Sequence, residues 1–367
     1  MYLAWKEMRY AKLRYALIIG VMVLVAYVVF MLTGLADGLA DGNKQAVVDW
    51  KASSVILSND SNKIASASSM KQSDLKWVSV SDKNKAGVGY FPTAVQHQKK
   101  SEKQNVSVLG AKKSSFVVPN VTKGRLYQNK HEIIISQNLA NLGYHLNQKV
   151  KLGSDSKLYK IVGFSKATKF SEVPVIYLNL NAFATLKYGD QVFKNNGEKP
   201  LSLIAIKKQS ANKLTVSQSS DDTKLDKLSV NTFIQNIPGY SAQNVTLGAM
   251  IGFLFVVVAA IIGIFMYVMT LQKTSLFGVM KAQGIKTSYL AKSIVGQALI
   301  VGVVGVAIAF VLGYLTGFGL PETMPYSTDL GQWLLDGIVL ILVAIIGGLF
   351  SIRTVTKVDP INAIGGE

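Results

Sequence analysis

TLGAMIGFLFVVVAAIIGIFMYVMTL, residues 246–271, runs for 26 positions without a formal charge. About 20 consecutive apolar residues suffice for a helix to cross the hydrocarbon core of a bilayer, so this stretch reads as a span. QKTSLFGVMKAQGIKTSYLAKS follows at 272–293, with Lys273, Lys281, Lys286 and Lys292 and no acid. Lys and Arg gather beside spans on the cytoplasmic side, which puts this loop inside the cell and the residues before 246 outside. Within the loop, Leu276, Val279 and Met280 make a short helical pattern that stops at Gly284.

Three further apolar blocks surround it. MYLAWKEMRYAKLR at 1–14 sets Lys6, Arg9, Lys12 and Arg14 along one side of a helical pattern, as an amphipathic helix at the inner membrane surface does. It feeds a first span at 15–35, longer than the roughly 7–15-residue core of a signal peptide and without a clear A-x-A cleavage site. The third span is 294–320, whose Gly296, Gly302, Gly305 and Gly313 suit close helix packing in lipid. A short loop at 321–332 has no Lys or Arg and leads to a fourth span at 333–352, with Trp333 at the outer interface. All ten Lys and Arg outside residues 37–243 lie in 1–14, 272–293 and 353–367. The expected topology is therefore a multi-pass protein of the plasma membrane with four transmembrane helices, both termini cytoplasmic, and a large extracellular domain at 36–245.

That domain reads as α+β. LADGLADGNKQAVVDW continues the first span as a helix carrying Leu39, Ala46, Val47 and Trp50, and SSVILS begins the strands. KWVSVS (76–81) and NVSVLG (105–110) alternate as strands do. A second subdomain is expected at about 111–198, with strands at 132–136, 149–153, 159–164 and 173–178 and a short helix at 137–143. LSLIAIKK (201–208) reads as a strand returning to the first subdomain, and 209–230 as helix plus loop.

Composition excludes several classes of chemistry. The chain has no cysteine, so disulfides, thiol catalysis and thiolate metal sites are absent. His97, His131 and His145 fall in separate segments without metal-ligand spacing, and there is neither G-x-S-x-G nor a phosphate-binding G-x-x-x-x-G-K-[ST]. No catalytic residue and no metal site is expected. The net charge of +18 rests largely on the domain, where 37–243 hold 29 Lys and Arg against 15 Asp and Glu. Outside a cell such charge points away from nucleic acid and toward anionic lipid, cell-wall polymers or plain solvation. Asp336, the one charge inside a span, stands three residues from Trp333 and within reach of the outer interface.

The span order, the loop LQKTSLFGVMKAQGIKTSYL and the tail KVDPINAIGG resemble the MacB/FtsX-type ABC transporter permeases. In that family the loop corresponds to a K-x-x-[ED]-[IF]-G-[IV]-[LM]-[KR]-A-x-G segment, and Leu276 stands here where the family has an acid. Within the family, LTGLADGLA, NIPGYSAQN, YVMTLQKTSLFGVMKAQGIKT and PETMPY resemble the permeases of bacterial haem exporters. The resemblance implies a non-catalytic, homodimeric permease in the membrane of a Gram-positive bacterium. It implies that the chain removes haem from the lipid with two copies of a separate ABC ATPase, which supplies ATP and Mg. Phe277, Gly278, Val279, Lys281 and Gly284 would then couple the two subunits.

Haem is flat and apolar with two carboxylates, and Tyr, Met and His serve as its axial ligands. The substrate-binding candidates are Tyr240 on a Pro-Gly turn before the second span, Met31 near the outer end of the first, Met250 at the start of the second, and Asp49 in the exit helix. The plainer reading of Tyr240 is an interfacial aromatic anchor, and that of both methionines is packing. Other expectations stay open: export of antimicrobial peptides by the same machine, an FtsX-like regulator of cell-wall hydrolases, and a sensor or adhesin.

Overall fold

The computed structural model describes residues 2–97, 102–193, 198–217, 224–321 and 324–356. The chain divides into a helical unit, Met1–Gly38 with Asn244–Glu367, and an α/β unit, Leu39–Gln243. Helices α1 (Tyr2–Tyr10) and α2 (Lys12–Asp49) open the chain. The short α3 (Gln137–Asn141), α4 (Leu180–Tyr188) and α5 (Val230–Gln235) belong to the α/β unit. They are followed by α6 (Tyr240–Leu271), α7 (Thr274–Ala282), α8 (Thr287–Gly319) and α9 (Leu330–Thr356).

Among the described residues, four helices, α2, α6, α8 and α9, are long and apolar enough to cross a membrane, and the large α/β domain lies between the first and the second in the chain. Two of them outrun the expected spans. α2 continues past position 35 to Asp49, because LADGLADGNKQ contains no proline and enough Leu, Ala, Gln and Lys to sustain a helix. α6 starts at Tyr240 rather than 246. The VDPINAIGGE tail, 358–367, lies outside the described residues.

Small residues set the packing of the helical unit. A Cβ on Gly305 of α8 would meet Met22 of α2 at 2.5 Å, and one on Gly347 of α9 would meet the Ala259 carbonyl oxygen of α6 at 2.5 Å. Backbones that approach so closely gain dispersion contact, which binds helices where lipid is as apolar as the side chains. Trp333, expected at the outer interface, is instead fully buried. Its ring stacks on Phe30 at 5.0 Å and meets Phe310 edge-on at 5.6 Å. Asp336 departs from expectation in the same way: it turns inward, 6 % exposed, and accepts hydrogen bonds from Thr33 Oγ1 at 2.7 Å and Gln332 Nε2 at 3.1 Å. A buried carboxylate needs such donors, and α2 supplies one.

The strands of the α/β unit are β1 (Ser54–Ser58), β2 (Met70–Lys71), β3 (Lys85–His97), β4 (Lys103–Ala111), β5 (Val121–Gly124) and β6 (Glu132–Ser136). They continue with β7 (Lys149–Leu152), β8 (Leu158–Ser165), β9 (Lys169–Phe170), β10 (Val173–Asn179), β11 (Pro200–Leu201), β12 (Leu203–Ile206) and β13 (Leu225–Ser229). The main sheet runs β13-β1-β12-β3-β4-β10-β6-β8-β5. The runs VIL, III and LIAI are apolar at every position because both faces of their strands are covered. Val55, Ile134, Leu203 and Ala205 point into a core that includes Trp50, Phe233 and Tyr240. Their neighbours Ile56, Ile133, Ile135, Ile204 and Ile206 point into a second core around Phe183 and Leu139. Alternation of side chains along a strand produces that division.

The expected second subdomain at about 111–198 has no sheet of its own. β7 pairs with both β3 and β8, so β3, β4, β10, β6, β8 and β7 close a ring of hydrogen-bonded neighbours. That ring takes β3 and β4 from before position 111, and through β3 it continues into β12 and β1. Two local readings are also corrected. KWVSVS is not a strand: Gln72–Trp77 form a 3-10 turn, and Val78 makes a single bridge to Val216. Residues 209–230 include β13, which pairs with β1 at the sheet edge; LDKLS buries only Leu228, too little apolar signal to read as a strand.

Candidate functional site

In the helical unit, the loop between α8 and α9 is seated on α2. A Cβ on Gly34 would lie 2.5 Å from the Tyr326 ring, and one on Gly38 would lie 2.4 Å from the Pro325 carbonyl oxygen. The Ser327 amide donates to the Gly34 carbonyl at 2.9 Å. Glycines four residues apart thus form a groove that admits the loop and its tyrosine. There the Tyr326 hydroxyl donates to Met31 Sδ at 3.6 Å. Burial, with Tyr27 adding to it, pushes the Tyr326 phenol up to about 12. One turn before Met31, Tyr27 hydrogen-bonds Thr316 at 3.1 Å. Both line an open apolar groove of about 270 Å³ between α2 and α8, with Gly20, Val23, Leu24 and Leu312.

Of the four expected substrate-binding residues, Met31 is thus in contact with Tyr326, a residue that the sequence reading did not single out. Met250 is 47 % exposed on α6. In the α/β unit, Tyr240 is the first residue of α6 and packs into the core with Ala46, Val47 and Trp50. Asp49 is engaged by Lys166 at 2.6 Å, Gln45 Nε2 at 2.8 Å and Thr168 Oγ1 at 3.3 Å. The signal for Tyr326 lay in PETMPY, an aromatic directly after proline in a loop between two spans.

The other end of the helical unit holds the expected coupling segment. α7 is a separate helix, stopped where Gly284 takes φ +87°. Phe277 and Gly278 are buried against the helical unit, whereas Leu276 is 51 % and Val279 39 % exposed. The outward face of α7 is therefore Leu276 with Val279, and Phe277 anchors the helix from below. Lys281 is half-buried. Just before α7, Lys273 Nζ donates to Glu7 of α1 at 3.1 Å. The same carboxylate accepts from the Gln297 amide of α8, whose oxygen accepts from Tyr15 of α2 at 2.6 Å. Arg14 hydrogen-bonds Gln272 beside it. One carboxylate, Glu7, thus joins α1 to α8 and to the entry of α7. The amphipathic reading of 1–14 weighed the four basic residues and overlooked it.

Residues 248–360 match the family described as the FtsX-like permease C-terminal domain. Over its whole length the chain is 30 % identical to the "Putative hemin transport system permease protein HrtB" of Staphylococcus haemolyticus, 100 % of this chain and 99 % of that one being covered. The protein of the same name from Staphylococcus epidermidis is 29 % identical, with the same coverage. An uncharacterized ABC transporter permease of Mycobacterium tuberculosis is 22 % identical, again over 100 % and 99 %. The extracellular domain of the noncanonic ABC-type transporter YknZ superposes with a TM-score of 0.30 at 15 % identity, covering 44 % of this chain and 85 % of that one, a likeness too distant to carry an argument. With residues 248–360 matched to the permease C-terminal family and the whole chain aligned over 99 % of a permease relative at 30 % identity, the chain belongs to the FtsX-like family of ABC transporter permeases.

Proposed function

We propose that this chain is the membrane subunit of an exporter that removes haem from the bilayer, working as two copies with two copies of a separate ABC ATPase. The observation that carries the reading is the contact of Tyr326 with Met31 beside an apolar groove. Phenolate and thioether are both haem axial ligands, and the groove offers walls for the flat apolar face of the macrocycle. The relatives named for hemin transport support the same reading. Tyr326 is held as a neutral phenol, and ferric iron arriving at the pair supplies the charge that favours loss of its proton. Tyr240, Met250 and Asp49 remain proposed contributors, of which Tyr240 is tested below.

In this reading the α7 end of the helical unit faces the cytoplasm and the α/β domain faces outward, as the placement of Lys and Arg indicates. The permease has no reaction of its own. ATP binding to the partner favours one of two membrane conformations, and Leu276 and Val279 transmit that preference.

Haem titration of the purified chain, read by its Soret band, tests the site. Tyr326→Phe and Met31→Leu shift the band or weaken binding at least tenfold, and Tyr240→Phe tests the other tyrosine. Unchanged spectra in all three variants, together with normal haem tolerance in a deletion strain, would overturn the haem reading. Sensitivity of that strain to a cationic peptide instead would favour peptide export.

A further inference from the structure

The α/β unit contains a cleft of about 400 Å³ that the transport reading does not use. Lys76, Lys83, Lys85 and Lys112 line it, with Phe116 and Leu180 among its apolar walls. Asp82 is the one acid in the lining, and it is paired with Lys85 at 3.2 Å. Lys85 also donates to the Val78 carbonyl at 3.3 Å, so its ammonium is committed to the fold. Lys76, Lys83 and Lys112 are exposed and have no acidic partner among the described residues. A fifth ammonium, that of Lys207, sits 4.4 Å from the centre of the Phe116 ring.

The lining also holds an unfilled donor. Ser115 Oγ is buried without a hydrogen-bond partner, although the Ser115 amide is bonded to the Lys112 carbonyl at 2.9 Å. That oxygen is closed to solvent, so the three exposed lysines, not Ser115, form the surface an anion would meet.

We propose that this cleft binds a phosphodiester chain, a polyanion of the cell envelope carrying one negative charge per repeat. The choice of an extended phosphodiester chain rests on the arrangement of the donors. Residues 37–243 contain 28 lysines and one arginine, and that arginine, Arg125, is held by Glu132. Arginine presents a planar fork that recognises carboxylate and phosphate bidentately, whereas lysine binds phosphate as a point charge. Three separate point charges around one concave surface suit an anion repeated along a chain. The proposal does not depend on the haem reading.

The test uses the full chain in nanodiscs of phosphatidylcholine, titrated with a poly(glycerol phosphate) oligomer at low salt and again at 0.5 M salt. Saturable binding is expected, weakened at least tenfold by Lys76→Gln with Lys112→Gln at unchanged melting temperature. High salt weakens it too, because exposed charges are screened within a few ångströms. Lys123→Gln with Lys160→Gln removes the same charge from exposed positions outside the cleft, and should leave affinity within twofold. Equal loss in both double variants would reduce the effect to net charge and overturn the site. Absence of oligomer binding to the wild type would overturn it as well. Preference for phosphatidylglycerol vesicles over the oligomer, with the same lysine dependence, would overturn the polymer and leave a lipid headgroup in its place.

Discussion

The hydroxyl of Thr33 donates to the carboxylate of Asp336 across 2.7 Å, and both side chains are almost wholly withdrawn from the surface, at 3 % and 6 % exposure. This bond ties the first membrane-crossing helix to the last, next to the stacked rings of Phe30 and Trp333. Thr33→Val keeps the shape and removes the donor, leaving a buried carboxylate oxygen underserved. It is expected to destabilise the detergent-solubilised protein by about 1–3 kcal/mol, read as a lower melting temperature. Thr33→Ser, which retains the hydroxyl, should recover most of that loss.

Gly38 fixes where the loop carrying Tyr326 can sit. A methyl group there would press into the Pro325 backbone carbonyl, which cannot rotate aside. Gly38→Ala is therefore expected to lift the loop and uncover Met31. Peroxide oxidation followed by mass spectrometry measures this, with the exposed Met250 as an internal reference. Met31 should oxidise more slowly than Met250 in the wild type, and the gap should narrow in Gly38→Ala.

The two faces of α7 predict two different defects. Leu276→Asp with Val279→Asp alters only its outward side, so the melting temperature should hold while a co-expressed ATPase subunit no longer co-purifies. Phe277→Ala empties a buried position and should cost about 3–5 kcal/mol of stability, as large-to-small core changes do. If the double variant still co-purified with full ATPase activity, α7 would not be the docking element.

Acid should unfold the α/β domain in part through Glu132. The Arg125 guanidinium, bonded to both carboxylate oxygens at 2.7 and 2.6 Å, and the Gln128 amide hold its pKa down at about 2. A carboxyl whose folded pKa lies below its unfolded value contributes stability above the unfolded value, about 4.3, and loses it as pH falls through the folded one. The contribution should therefore be complete above about pH 5 and fade between about 4.3 and 2. Glu132→Gln should lower the melting temperature at pH 7 and leave a much smaller difference near pH 2.

The absence of cysteine makes orientation directly measurable. Ser154 and Ser288 are both exposed, so Ser154→Cys and Ser288→Cys report the two sides separately. An impermeant maleimide on intact cells should label the first and spare the second; the reverse pattern would invert the proposed topology.

Four spans, their order and the polar insert were legible in the amino-acid sequence because membrane crossing demands a long unbroken apolar run, which no tertiary context can disguise. The strands VIL, III and LIAI were legible for a related reason, since a strand covered on both faces is apolar at every position. Polar contacts between distant segments were not. Nothing in the order of residues says that Thr33 meets Asp336, that Glu7 meets Lys273 and Gln297, or that β3 belongs to a ring with β7 and β8. Trp333 and Tyr240 show the same limit: an aromatic near the end of a span has one sequence signature whether it faces headgroups or packs inward. Only the fold decided that both pack inward, and that Tyr326 reaches Met31, because those outcomes depend on which backbone lies opposite. At Gly34 the Tyr326 ring, and at Gly38 the Pro325 backbone, is close enough to exclude even a methyl group.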